Sequence, residues 1–142
     1  MRQANELVPD EVINSGRVVL LVVDGLGWNQ LERNRDRLPC LDSASSTAIV
    51  TVAPSTTATA LTSLSTGVAP GEHGVVGYKV RTPQGLLNCL RWTIGAAAAT
   101  FEIPPIDFQP VEPFLGARPP VVTRAEFETT GFTQTHLRNG KF

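Results

Sequence analysis

Asp24 and the hydroxyl-rich stretch Ser55-Thr56-Thr57 are the residues whose types and positions offer chemistry. Asp24 closes the run Arg17-Val-Val-Leu-Leu-Val-Val-Asp24, and the glycines of Gly25-Leu26-Gly27 permit a sharp exit turn behind it. A carboxylate at the carboxyl end of a strand is a natural hard ligand for a cation. Pro54-Ser55-Thr56-Thr57 has the composition of a helix start. A hydroxyl there lies beside unpaired backbone N–H groups and at the positive end of the helix dipole, a setting that binds phosphate and favours an ionised oxygen. Together these groups point to metal-assisted attack on phosphorus. The same residues also suit plainer work, with the aspartate capping a turn and the threonines capping a helix.

Competing motifs fall away quickly. Gly25-Leu26-Gly27-Trp28-Asn29-Gln30 gives only the first half of a dinucleotide fingerprint, with Gln30 where the third glycine belongs. No Walker-type phosphate loop and no G-x-S-x-G nucleophile elbow occurs. His73 and His136 are isolated, and a lone histidine more often satisfies a local hydrogen bond than ligates a metal. Asn88 is polar within the apolar run Leu86 to Trp92, which makes it a candidate to face a cleft.

The elements that must position these groups follow from the pattern. Arg17 to Asp24 is continuously β-branched and aliphatic, as in a strand buried on both faces of a parallel sheet. Trp28, Leu31 and Leu38 fall near helical spacing, with Pro39 as the stop. Thr47 to Val52 reads as a second strand, and Thr57 to Ser65 as a helix ended by Gly67. Strand–helix–strand–helix with short connections predicts an α/β fold with a parallel sheet between helix layers. Beyond Gly67 the pattern weakens. Tyr78 to Arg81 and Leu86 to Trp92 suggest a hairpin around Pro83-Gln84-Gly85, residues 102–120 a proline-rich extended connection, and Val121-Val122 another strand.

Composition limits the partners. The chain has 142 residues, the size of one ordinary domain, with 42% hydrophobic and 18% charged residues, enough for a buried core. A net charge of −1 without a basic block argues against nucleic-acid polymers and anionic membranes. Thirteen of the 22 Ser and Thr residues crowd into 43–66, but Ile49, Val50, Leu61 and Leu64 are interleaved, so the segment can pack. Two cysteines, Cys40 and Cys89, are too few for a disulfide scaffold or a cysteine-based zinc site, and read as reduced, mostly buried thiols. No secretory signal and no bilayer-length apolar run is visible, so a soluble cytoplasmic protein is expected.

Three segments in order carry a resemblance: Val-Val-Asp24-Gly-Leu-Gly, then Pro54-Ser-Thr-Thr57-Ala-Thr-Ala-Leu-Thr-Ser-Leu-Ser-Thr-Gly67, then Pro70-Gly-Glu-His73-Gly-Val-Val-Gly-Tyr78. This arrangement resembles the alkaline phosphatase superfamily, and within it the type I phosphodiesterase/nucleotide pyrophosphatase branch, most densely over residues 17–80. The resemblance implies a three-layer α/β/α sandwich with a mostly parallel sheet and two metal ions, usually zinc. It makes Asp24 a ligand of one zinc and Thr57 the nucleophile, whose oxygen also touches that zinc. Thr56 and Ser55 are the register-shifted alternatives. The implied mechanism is zinc-assisted attack of the Thr57 oxygen in line on phosphorus, a covalent threonine intermediate, and its hydrolysis by water. The implied partner is a phosphate ester or nucleotide substrate. His73 falls at a position that the family uses structurally, beneath the site.

Two departures stand out. Ala58-Thr59-Ala60-Leu61 replaces the Phe-Pro-Asn-His that usually follows the nucleophile, and Tyr78 occupies the position of a phosphate-contacting asparagine. A tyrosine hydroxyl can still donate to a phosphate oxygen, which makes Tyr78 a candidate substrate contact. A two-metal site also needs several Asp and His ligands, yet Asp107, His73 and His136 are the only ones after Thr57. The expectation is therefore that residues 1–142 form the N-terminal portion of a catalytic domain, truncated and inactive alone. The alternative is a non-catalytic phosphate- or nucleotide-binding module.

Overall fold

The computed structural model describes residue 8 and residues 10–41, 43–98 and 102–142. The chain divides into two compact units, Met1–Val50 and Thr51–Phe142.

In the first unit, α1 (Asp10–Ile13) is a single turn with two carboxylates at its amino end, where the helix dipole favours them. The second helix, α2 (Trp28–Arg33), begins where the sequence predicts and stops before Leu38. The Asn34 side chain donates to the Gln30 carbonyl at 2.8 Å, competing with the backbone ladder. Two 3₁₀ turns, Arg35–Arg37 and Pro39–Leu41, take up the remainder, so Pro39 opens a turn instead of closing α2.

The run Val18 to Val23 forms no strand, and its side chains are 46–93% exposed. Thr47 to Val52 likewise carries no ladder, with Ile49 and Val50 exposed. The parallel sheet expected from these runs, and with it the three-layer sandwich, is absent from the described residues. A strand apolar on both faces is stable only when neighbouring strands and two helix layers cover it, and these segments have no such cover.

The second unit is built from local pairings. The Thr-rich segment forms α3 (Thr57–Thr66), capped by Gly67 at φ +73 with its N–H on the Ser63 carbonyl. Its hydroxyls are buried because they bond back to the preceding turn, Thr62 to the Ala58 carbonyl and Thr66 to the Thr62 carbonyl. After α4 (Pro70–His73), four short strands make an antiparallel meander, β1 (Lys79–Thr82), β2 (Gly85–Asn88), β3 (Thr93–Ile94) and β4 (Ala97–Ala98). Thr82 pairs with Gly85, so Pro83-Gln84 is a two-residue turn. Gly85 has φ +140, and a Cβ there would meet the Ile94 side chain at 2.7 Å. The sequence placed this hairpin correctly but ran its second strand on to Trp92, where the chain turns after Asn88.

Residues 102–120 are not simply extended. They hold α5 (Pro105–Phe108) and a 3₁₀ turn at Pro113–Gly116. Val121 and Val122 form no strand, although the Val121 N–H donates to the Lys141 carbonyl at 2.8 Å. The final helix, α6 (Gly131–His136), is capped by the Thr130 side chain. Behind it Arg138 donates to the carbonyls of Gln109, Thr135 and Val111, stapling the proline-rich segment to α6.

The core of this unit is one cluster of Ala58, Val75, Leu87, Cys89, Trp92 and Phe132, with Leu61, Val80, Leu90, Ile94 and Phe108 packed against it. Cys89 is buried as expected, whereas Cys40 is exposed. Both are free thiols.

Candidate active site at the start of α3

Thr57 is the first residue of α3 and is half-buried. Thr56 is the N-cap in extended backbone (φ −79, ψ 149) and its carbonyl takes the Ala60 N–H at 2.9 Å. Its side chain does not cap the helix; its oxygen pairs with the Thr59 hydroxyl at 2.9 Å. Helix geometry leaves the Ala58 and Thr59 N–H groups without intrahelical acceptors, and the N-cap hydroxyl does not close them off. That end of α3 is therefore suited to an anion. Ser55 is exposed ahead of the helix, so Thr57 has the helical position of the three hydroxyls.

Tyr78 lies just before β1, 41% exposed, and its hydroxyl accepts a hydrogen bond from Asn88 Nδ2 at 2.9 Å. Ala58, beside Thr57, and Cys89, beside Asn88, share one buried cluster, so the start of α3 and the Tyr78–Asn88 pair are built on the same core. Asp24 occupies an exposed turn in the first unit, with Gly25 at φ +84 and the Leu26 N–H on the Val23 carbonyl. Asp24 and Thr57 thus belong to different units.

Both histidines have structural partners. The Val75 N–H donates to His73 Nδ1 at 3.1 Å, so that nitrogen is unprotonated and Nε2–H donates to Ser63 Oγ at 2.8 Å. Burial pushes the His73 pKa below its ordinary value. His136 Nδ1–H donates to the Phe132 carbonyl at 2.7 Å, and its ring stacks on Phe132 at 4.1 Å. Burial lowers its pKa to about 4. A separate open cavity of about 380 Å³, lined by Arg81, Gln84, Glu102, Asp107 and neighbours, contains none of the sequence-predicted site residues.

The family model for type I phosphodiesterase/nucleotide pyrophosphatase matches residues 18–136, most of the chain. The chain belongs to this family. No curated protein and no solved structure matches it. The phosphodiesterase family is metal-dependent and acts on phosphate esters and nucleotides. Asp24 and Thr57 offer oxygen donors, but a catalytic zinc takes three protein ligands. Among the described residues no three His, Cys, Asp or Glu side chains gather where a metal ion would fit. His73 has hydrogen bonds at both ring nitrogens, and His136 is turned to a backbone carbonyl. The described residues therefore do not complete a zinc site. Asn88 and Arg138 were the harder residues to find from sequence. Asn88 gave only a polar break in an apolar run, and Arg138 gave no signal.

Proposed function

We propose that the chain bears the nucleophile of a phosphoric ester hydrolase of phosphodiesterase or nucleotide pyrophosphatase type. The observation that carries this reading is Thr57 as the first residue of a ten-residue helix whose N-cap side chain makes no capping bond, inside the family match. A phosphate bound there lies against the Ala58 and Thr59 N–H groups, with Tyr78 O–H donating to a further oxygen. Thr57 Oγ1 bonds to phosphorus as the ester oxygen departs with the proton. Water then cleaves the threonine–phosphoryl ester and restores the hydroxyl. Asp24 as ligand of one of two zinc ions is the family's expectation and supplies no step here. No helix among the described residues is long and apolar enough to cross a membrane.

The occupied histidines favour a second reading, a phosphate- or nucleotide-binding module without turnover. Binding of inorganic phosphate, followed by ³¹P NMR, tests what the two readings share. Thr57→Asp, which puts a carboxylate at the anion site, is expected to weaken it at least tenfold. A fluorophosphonate probe separates them. Stoichiometric labelling mapped to Thr57 and lost in Thr57→Ala supports the nucleophile. Binding without such labelling leaves the module, and absence of binding removes both.

A further inference from the structure

We propose that residues 18–22 dock a second copy of this chain, the two segments pairing as antiparallel strands with Leu20 opposite its own copy. Local hydrogen bonds set the limits of the available stretch. Ser15 Oγ accepts the Arg17 N–H at 3.3 Å and donates to the Arg17 carbonyl at 2.6 Å. At the other end the Val23 carbonyl takes the Leu26 N–H at 3.3 Å. Between them, among the described residues, no backbone hydrogen bond engages residues 18–22. All five side chains are exposed, from 46% at Val22 to 93% at Val19. Unpaired, uncharged and β-branched backbone of this kind is a template for another strand. Its own pattern selects the occupant. In a strand Val18, Leu20 and Val22 share one face, a row that reads the same from either end. A reversed copy therefore sets valine against valine and leucine against leucine. A two-fold pair needs this self-complementarity, and the open stretch is centred on Leu20. The flanks carry opposite charge, Arg17 before the run and Asp24 after it, both exposed. Antiparallel pairing brings the Arg17 end of one copy beside the Asp24 end of the other. Parallel pairing in register would lay arginine on arginine and aspartate on aspartate. A net charge of −1 adds little repulsion between copies.

A two-stranded ribbon is marginal by itself, so the association depends on concentration. The experiment follows the full chain from dilute to concentrated solution by sedimentation velocity and by amide hydrogen exchange. The native chain is expected to pass from monomer to dimer, with the amides of residues 18–22 gaining at least fivefold protection as it does. Leu20→Lys sets like charges against each other across the two-fold and is expected to weaken dimerisation at least tenfold, as is Leu20→Glu. An equimolar mixture of those two variants is expected to associate again. Val18→Lys and Val22→Glu are each expected to weaken the dimer, and to restore it when combined in one chain, because antiparallel pairing sets each new cation against a new carboxylate. These side chains are exposed in the single chain, so melts of the dilute variants are expected to match the native melt. A chain that stays monomeric, protection of residues 18–22 that ignores concentration, or a dimer indifferent to Leu20→Lys overturns the proposal. A combined Val18→Lys and Val22→Glu chain that associates no better than the single variants overturns the antiparallel pairing.

Discussion

Gly131→Ala tests the packing that supports the site. Gly131 opens α6 with its Cα against the indole of Trp92. A methyl group there would lie 2.2, 2.5 and 2.6 Å from Trp92 Cγ, Cδ1 and Cβ, where carbon pairs prefer roughly 3.5–4.0 Å. The indole has nowhere to go. It is 2% exposed, donates from Nε1 to the Ile103 carbonyl at 3.0 Å, and meets Phe108 edge-on at 5.6 Å. Either α6 moves by about an ångström or Trp92 leaves its pocket. Overpacking of this kind costs about 1–3 kcal/mol, and breaking the indole hydrogen bond adds about 1 kcal/mol. The better helix propensity of alanine returns at most about 1 kcal/mol. The balance is a loss of about 1–3 kcal/mol, or a Tm lower by roughly 5–20 °C for a unit of this size. Thermal melts with near-UV circular dichroism measure both the stability and the Trp92 environment. Gly71→Ala is the matched control, since a Cβ there meets nothing within 4 Å. It is expected to leave Tm unchanged or slightly raised. A Gly131→Ala melt within 1–2 °C of native, with its near-UV spectrum intact, would refute the packing argument.

The remaining predictions concern titration and reactivity. His136 has a folded pKa of about 4 against an ordinary 6.5, so the unfolded chain binds the proton more readily. Stability is therefore full above about pH 6.5, falls as pH drops towards 4, and loses on the order of 3 kcal/mol across that window. Urea unfolding at pH 7 and pH 4.5 is expected to show this, and His136→Gln to flatten it; an equal slope in the variant would assign the effect elsewhere. Burial raises the Cys89 pKa to about 11, whereas Cys40 is exposed. A colorimetric disulfide reagent at pH 8 is expected to titrate one thiol in the native chain and two in urea, with Cys40→Ser leaving none that reacts rapidly.

What the sequence made legible was local. Helix α3 could be read because its start residues, its hydroxyl-rich body and the glycine stop all lie within one short stretch. The first hairpin was legible for the same reason, since a proline-containing turn sits between its strands. Val18 to Val23 failed as a strand because its pattern states only that cover is required, not that residues nearby provide it. Thr47 to Val52 failed likewise. The end of α2 turned on whether Asn34 would bond to its own helix, which periodicity does not encode. Arg138 was invisible because its three acceptors are backbone carbonyls, 109, 111 and 135, that no side-chain pattern marks. The candidate nucleophile could be named because its identity depends on position within a motif. Asn88 needed the hairpin register before its hydrogen-bond partner Tyr78 appeared.

The histidine in the His-Gly segment explains how α3 and Tyr78 are held on one scaffold. Ser63 lies on α3, six residues beyond Thr57, and receives the His73 Nε2 proton at 2.8 Å. The opposite nitrogen holds the Val75 N–H at 3.1 Å, and Val75 is fully buried in the core cluster. The imidazole is therefore a strut from α3 to the chain that leads into Tyr78 three residues later. This use requires a neutral ring with its proton on Nε2, the form that burial favours by lowering the His73 pKa. Recruiting His73 to a metal would cost one of the two bonds that make the strut. A second proton would land on the nitrogen facing the Val75 N–H, donor against donor. The position of α3 against Val75 therefore depends on His73 remaining a neutral structural residue.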